Sequence, residues 1–136
     1  MLRASHIIVV DKDKRILLQQ RDNRPDVTGA GGWAIWGGAT NDNETPEDCA
    51  IRELTEETGI IAPKKELRFL SRFERALENY GEVESSVYLL KFGPDMKFKL
   101  GEGEGYGFFR KEEIKSPYLG LDPKLKNFLF KFIETL

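Results

Sequence analysis

The chain has a single cysteine, Cys49, which excludes an internal disulfide and fits a reducing compartment. It has no apolar run near the ~20 residues that a bilayer-spanning helix needs. Met1-Leu2-Arg3-Ala4-Ser5-His6-Ile7 lacks the long apolar stretch of a signal peptide, so a cytoplasmic protein without a membrane partner is expected. No sign of charge is in large excess. With 21 basic and 23 acidic side chains the net charge is −2, and nothing in that balance asks for nucleic acid or an anionic membrane. Internal repeats, low-complexity tracts and long linkers are also missing. What is there is 136 residues, 40% hydrophobic and 32% charged, which suits one domain, 1–136, able to bury its own core.

Short β-rich runs come first. His6-Ile7-Ile8-Val9-Val10 reads as a buried strand, Asp11-Lys12-Asp13-Lys14 as a polar turn, and Arg15 to Gln20 as the hairpin partner. Asp22 to Gly32 holds Pro25 and several glycines and reads as a loop leading to Trp33. Leu67–Leu77 and Ser85–Phe92 alternate as strands around a turn at Asn79-Tyr80-Gly81. Gly101 to Gly107 reads as a flexible acidic loop, and Glu112-Glu113-Ile114 as one helical turn. Asp122-Pro123 opens a last helix whose Leu125, Phe128, Leu129, Phe132 and Ile133 have helical spacing. Strands and helices mix without regular βαβ alternation. The fold class is therefore α+β, a mixed β-sheet packed against α-helices.

One further helix has clear punctuation. Thr45 suits the N-cap, Pro46 the first helical position and Asp48 the capping-box acid, while Gly59 stops the helix after about Thr58. From Asn43 to Glu57 six acids (Glu44, Glu47, Asp48, Glu53, Glu56 and Glu57) face one base, Arg52. Such a block repels phosphate unless a cation intervenes. Glu53, Glu56 and Glu57 fall at i, i+3 and i+4 and share a helix face, where like charges repel and raise one another's pKa values. A divalent cation with hard oxygen ligands removes that cost. Ile51 and Leu54 project onto a neighbouring face and should pack inward. Cys49 projects beside the acids, where its small size makes it a spacer. Arg52 can pair with Glu56, or with Glu44 from the loop, and so fix carboxylate geometry.

Gly38, Glu44, Arg52-Glu53, Glu56-Glu57 and Gly59 before Ile60 stand at offsets that resemble the signature box of the Nudix hydrolases, the MutT-like family. At average residue frequencies the joint pattern arises by chance in far fewer than about one in 10⁵ chains. The likeness runs loosely from Ile7 to Ile114. Before the box the family often has Trp-x-x-Pro-Gly-Gly; this chain has Trp33-Ala34-Ile35-Trp36-Gly37-Gly38, with Trp36 replacing the proline. Asn41 replaces a frequent glutamate and Asn43 a glycine, and asparagine tolerates the left-handed backbone.

The resemblance implies the Nudix fold, a mixed sheet between helices. It also implies hydrolysis of a nucleoside diphosphate linked to another group, a small-molecule nucleotide, with Mg²⁺ or alternatively Mn²⁺. The expected metal ligands are Glu53, Glu56 and Glu57 with the Gly38 region. The base is one of Glu53, Glu56, Glu57 or Glu102, with Glu104 second to Glu102 in the acidic loop. Arg52 completes the catalytic set. Arg21, Arg24, Trp36 and Glu44 are the substrate-side candidates; Trp33, Phe73, Tyr80 and Tyr118 are further aromatics able to stack on a base. Two other readings stand beside this one, a non-catalytic nucleotide sensor and an RNA 5′-end pyrophosphohydrolase. The latter draws on Lys64, Lys65, Arg68, Arg72 and Arg75, whose alternation suggests a solvated face. Many relatives pair, so a homodimer is an expectation that no residue here specifies.

Overall fold

Strand β1 (Leu2–Val10) organises the molecule. In the computed structural model, which describes residues 1–21, 32–77, 80–94, 96–99, 105–115, 121 and 123–135, one edge of β1 runs parallel to β6 (Gly81–Lys91) from Leu2↔Val83 to Val10↔Lys91. Its other edge is shared. β4 (Trp36–Ala39) lies antiparallel to Ala4–Ile7, and β2 (Ile16–Gln20) pairs antiparallel only at Val9↔Leu17 and Val10↔Ile16. The expected hairpin is present, and β4 takes the rest of the edge. Its turn is tied by Asp11, whose Oδ1 accepts from the backbone N–H groups of Asp13 (2.9 Å) and Arg15 (2.8 Å), with Lys14 left-handed at φ 62°.

β7 (Gly105–Phe109) pairs along all of β2, so β1 and the short β3 (Trp33–Ala34) divide the opposite edge of β2. The loop expected over Gly101–Gly107 therefore gives way to a strand at Gly105, because the open edge of β2 supplies the backbone partners. β5 (Arg68–Leu77) closes the far side of the sheet against β6, with a bulge between Phe69 and Ser71.

Alternation along the strands builds two cores. Ile8, Val10, Ile16, Leu18, Val87 and Leu89 pack on one face against Leu125, Leu129 and Ile133 of α3 (Pro123–Ile133) and Ile114 of α2 (Lys111–Ile114). Ile7, Val9, Leu17, Tyr88 and Leu90 pack on the other against Ala50 and Leu54 of α1 (Pro46–Thr58). This is the expected mixed sheet between helices. Each fully buried Leu or Ile contributes roughly 1.5–3 kcal/mol. No helix among the described residues is long and apolar enough to cross a membrane.

The basic run breaks up on the fold. Lys64 and Lys65 sit in a 3₁₀ turn and Arg68 is exposed, but Arg75 is buried. It shares the covered face of β5 with Phe73, which stacks against Phe128 of α3. Its Nε donates to Ser85 Oγ at 2.9 Å. A solvated face is thus the wrong description of Arg75: on a strand, positions 72 and 75 point to opposite sides.

Candidate active site

The caps of α1 follow the sequence. Thr45 Oγ1 accepts from Asp48 N–H at 3.1 Å, Pro46 begins the helix, and Gly59 ends it at φ 76° with its N–H on Thr55 O. Asp48 does not close a capping box; its carboxylate pairs with Lys64 Nζ at 3.2 Å. Tyr88 donates to Glu47 Oε1 at 2.7 Å and so ties the first turn of α1 to the sheet. Burial, then Glu47, pushes the Tyr88 hydroxyl up to about 12.

Arg52 is the hub of the acidic face. Its Nε and Nη2 meet the two oxygens of Glu44 at 2.8 and 3.0 Å, a two-pronged pair. Nη2 also donates to Ala39 O at 3.0 Å, and Nη1 reaches Glu53 Oε1 at 3.0 Å and both Glu56 oxygens at 3.3 Å. One guanidinium thus joins the end of β4, the loop and two helix acids. The hydrogen bond from Arg52 holds the Glu44 carboxyl down at about 2. Glu44 in turn pushes the guanidinium still further up. Glu44 Oε1 also accepts from Asn41 N–H at 3.0 Å, so Glu44 anchors the loop on α1. Asn43 takes the left-handed backbone expected of it, at φ 64°.

The three helix acids differ in exposure. The side chain of Glu56 is 56% exposed and that of Glu53 16%, whereas Glu57 is buried at 3%. Glu57 Oε1 accepts from Gly37 N–H at 2.9 Å and Oε2 from Gln19 Nε2 at 2.8 Å. Among the described residues no three His, Cys, Asp or Glu side chains converge on one point. Arg52 draws Glu53 and Glu56 toward itself, and Gln19 and Gly37 hold Glu57.

Space is tight at both glycines before the loop, against backbone at Gly37 and against a side-chain end at Gly38. A Cβ on Gly37 (φ 149°) meets Ser5 O at 2.2 Å and His6 Nδ1 at 2.6 Å; one on Gly38 meets the Glu53 carboxylate at 2.6 Å. The Glu53 carboxylate lies close against Gly38, and its hard oxygens suit a divalent cation such as Mg²⁺. Cys49 is buried with Sγ 3.5 Å from Gly38 O, and burial raises its thiol pKa, in keeping with a spacer.

Trp36 corrects the sequence reading. It is fully buried, donates from Nε1 to Leu17 O at 3.0 Å, and packs in the α1 core. On β4 it faces Ile7 across the pair, and its ring lies within the core. Arg21, at the end of β2, is half-buried, with its N–H on Gly32 O at 2.8 Å. Trp33 is edge-on to Phe109, and Tyr80 is 60% exposed. Arg24, Glu102, Glu104 and Tyr118 lie outside the described residues. Gln19 is the site residue that sequence reasoning missed. The available signal was an amide on the same strand face as Leu17, a column that packs in the α1 core.

A family model described as NUDIX domain matches residues 1–136. The chain is 41% identical over 59 residues to the ADP-ribose pyrophosphatase of Methanocaldococcus jannaschii, covering 43% of this chain and 33% of that protein. It is 40% identical over 53 residues to an 8-oxo-dGTP diphosphatase of Proteus vulgaris, covering 39% and 46% respectively. The matched stretch therefore spans a third to just under half of these curated relatives. A crystal structure of a MutT protein from Methanosarcina mazei Go1 superposes with a TM-score of 0.78 at 21% identity, over 98% of this chain and 93% of that one, and so shares the fold. With the box, its carboxylates and the fold in agreement, the chain belongs to the Nudix family.

Proposed function

We propose that this protein hydrolyses the diphosphate linkage of a nucleoside diphosphate joined to another group, a nucleoside triphosphate or a nucleotide sugar, with Mg²⁺ or Mn²⁺. The observation that carries the reading is the Arg52 hub, which joins Glu53, lying against Gly38, to Glu56, with the buried Glu57 one turn after Glu53. Glu53, Glu56 and Glu57 would hold the ion, with help from the Gly38 region. When bound, it supplies charge neutralisation at the phosphate oxygens and a more acidic attacking water. Glu57, gripped at both oxygens, is suited to a fixed holding role. Glu56, the most exposed, is freest to move and to take a proton. Arg52 orients two acids and carries part of their charge until substrate and ion arrive.

Similarity to an ADP-ribose pyrophosphatase and an 8-oxo-dGTP diphosphatase supports a small nucleotide substrate of this general class. The RNA-end reading loses support, since the buried Arg75 leaves the basic run it drew on. We place the protein in the cytoplasm and keep a homodimer as an expectation for light scattering to decide. The deciding experiment is phosphate release with Mg²⁺ or Mn²⁺ over nucleoside triphosphates, nucleotide sugars, ADP-ribose, dinucleoside polyphosphates and capped RNA. Glu56→Gln and Glu57→Gln should each cut turnover by about 10²-fold or more with the fold intact. Hydrolysis surviving both changes would overturn these roles, and inactivity of the parent on every substrate would favour a nucleotide sensor.

A further inference from the structure

We infer that Gln19 is a positioning residue for metal binding: its amide, supplied by β2, fixes the Glu57 carboxylate in the direction that a cation at the α1 acids requires. This rests on the reading of Glu57 as a metal ligand proposed above. Gln19 and Glu57 are each 3% exposed, and they come from elements far apart in the chain. The orientation of the amide is not arbitrary. Its Nε2 faces two acceptors, Glu57 Oε2 at 2.8 Å and Ile35 O at 3.4 Å, so a flipped amide would set its oxygen against two others. Gly37 N–H holds the second Glu57 oxygen from β4 at 2.9 Å. Two strands thus grip one helix carboxylate.

The chemistry of the grip matters. Glu53 and Glu56 are bound by a cation, Arg52, which competes with any metal for their charge. The two strand groups that reach Glu57, the Gln19 amide and the Gly37 peptide N–H, are both neutral donors. Such donors favour the ionised carboxylate and orient it without cancelling its charge. Each carboxylate oxygen keeps lone-pair capacity beyond one hydrogen bond. An apolar residue at position 19 would take one donor from a buried carboxylate and loosen its orientation.

The test is Mn²⁺ titration by calorimetry, without nucleotide, of the parent, Gln19→Met, Glu57→Gln and the double variant, with circular dichroism to verify folding. Gln19→Met should weaken Mn²⁺ binding roughly 10- to 100-fold, the usual effect of losing a group that orients a ligand. Glu57→Gln should weaken it at least as much. The double variant should bind no more weakly than Glu57→Gln, because Gln19 acts through that carboxylate. If Gln19→Met fails to fold, Gln19→Asn, which withdraws the amide by one methylene, replaces it. Parent-like affinity in the position-19 variant, with binding lost in Glu57→Gln, overturns this inference alone and leaves the proposed function standing. Losses that multiply in the double variant also overturn it. Unchanged affinity in Glu57→Gln instead removes Glu57 from the ligand set, and the proposed ligand set falls with it.

Discussion

Arg75 Nη2 lies 3.2 Å from His6 Nε2, and the direction of that hydrogen bond fixes the state of the imidazole. A guanidinium can only donate, so Nε2 accepts and the proton of the neutral ring sits on Nδ1. Burial first, then Arg75 and Arg21, push the pKa of His6 down to about 3. The folded protein keeps His6 neutral where the unfolded chain, near pKa 6.5, takes up a proton. A lowered histidine pKa therefore contributes nothing above pH 6.5 and costs stability progressively as pH falls from there toward 3. Between pH 7 and pH 5 the loss should be about 2 kcal/mol. Urea midpoints at those two pH values check it, and His6→Gln should flatten the difference. An equal slope in both proteins would show that His6 is protonated in the fold.

Neighbouring glycines should separate stability from activity. Gly37→Ala drives a methyl into backbone atoms at a positive φ and should cost about 3 kcal/mol or more. Gly38→Ala meets only the movable end of Glu53, so its denaturation midpoint should stay near that of the parent. Hydrolysis by Gly38→Ala should nonetheless fall about 10-fold or more, because the carboxylate is displaced. Equal destabilisation by the two variants would contradict the packing described around Glu53.

Trp36→Phe tests the corrected role of that residue. The change removes the indole bond to Leu17 O and some core volume, and should cost about 1–3 kcal/mol. KM for whichever nucleotide is hydrolysed should stay within about 2-fold, because the ring is fully buried in the core. A KM shift of about 10-fold or more in a well-folded variant would return Trp36 to the substrate side.

Much of this was legible where local rules govern. Thr45, Pro46 and Gly59 bound α1 through capping chemistry that acts within one turn of the helix. Asn43 and Gly38 announced a loop needing unusual backbone or space, and the expected pairing of Arg52 with Glu44 and Glu56 is present. What was not legible depends on partners distant in sequence. Trp36 has the same aromatic character whether it faces a ligand or a core; only the register Ile7↔Trp36 decides. Arg75 reads as surface charge until His6 and Ser85 are brought beside it. Gly105 to Gly107 reads as loop because glycine weakens strands, yet the open edge of β2 overrides that tendency. Gln19 needed Glu57, supplied by a helix that follows two intervening strands.

The parallel ladder between β1 and β6 has a consequence for the order of assembly. Leu2 and Val83 pair across most of the chain, so the founding strand lacks one neighbour until β6 has left the ribosome. Long-range pairing of this kind slows folding. The acidic helix can form early, since its caps are local. The strand framework that grips Glu57 matures late. A nascent or truncated chain ending before β6 would therefore display the box without a rigid seat for it, and catalytic competence should appear only once the second half of the polypeptide has been made.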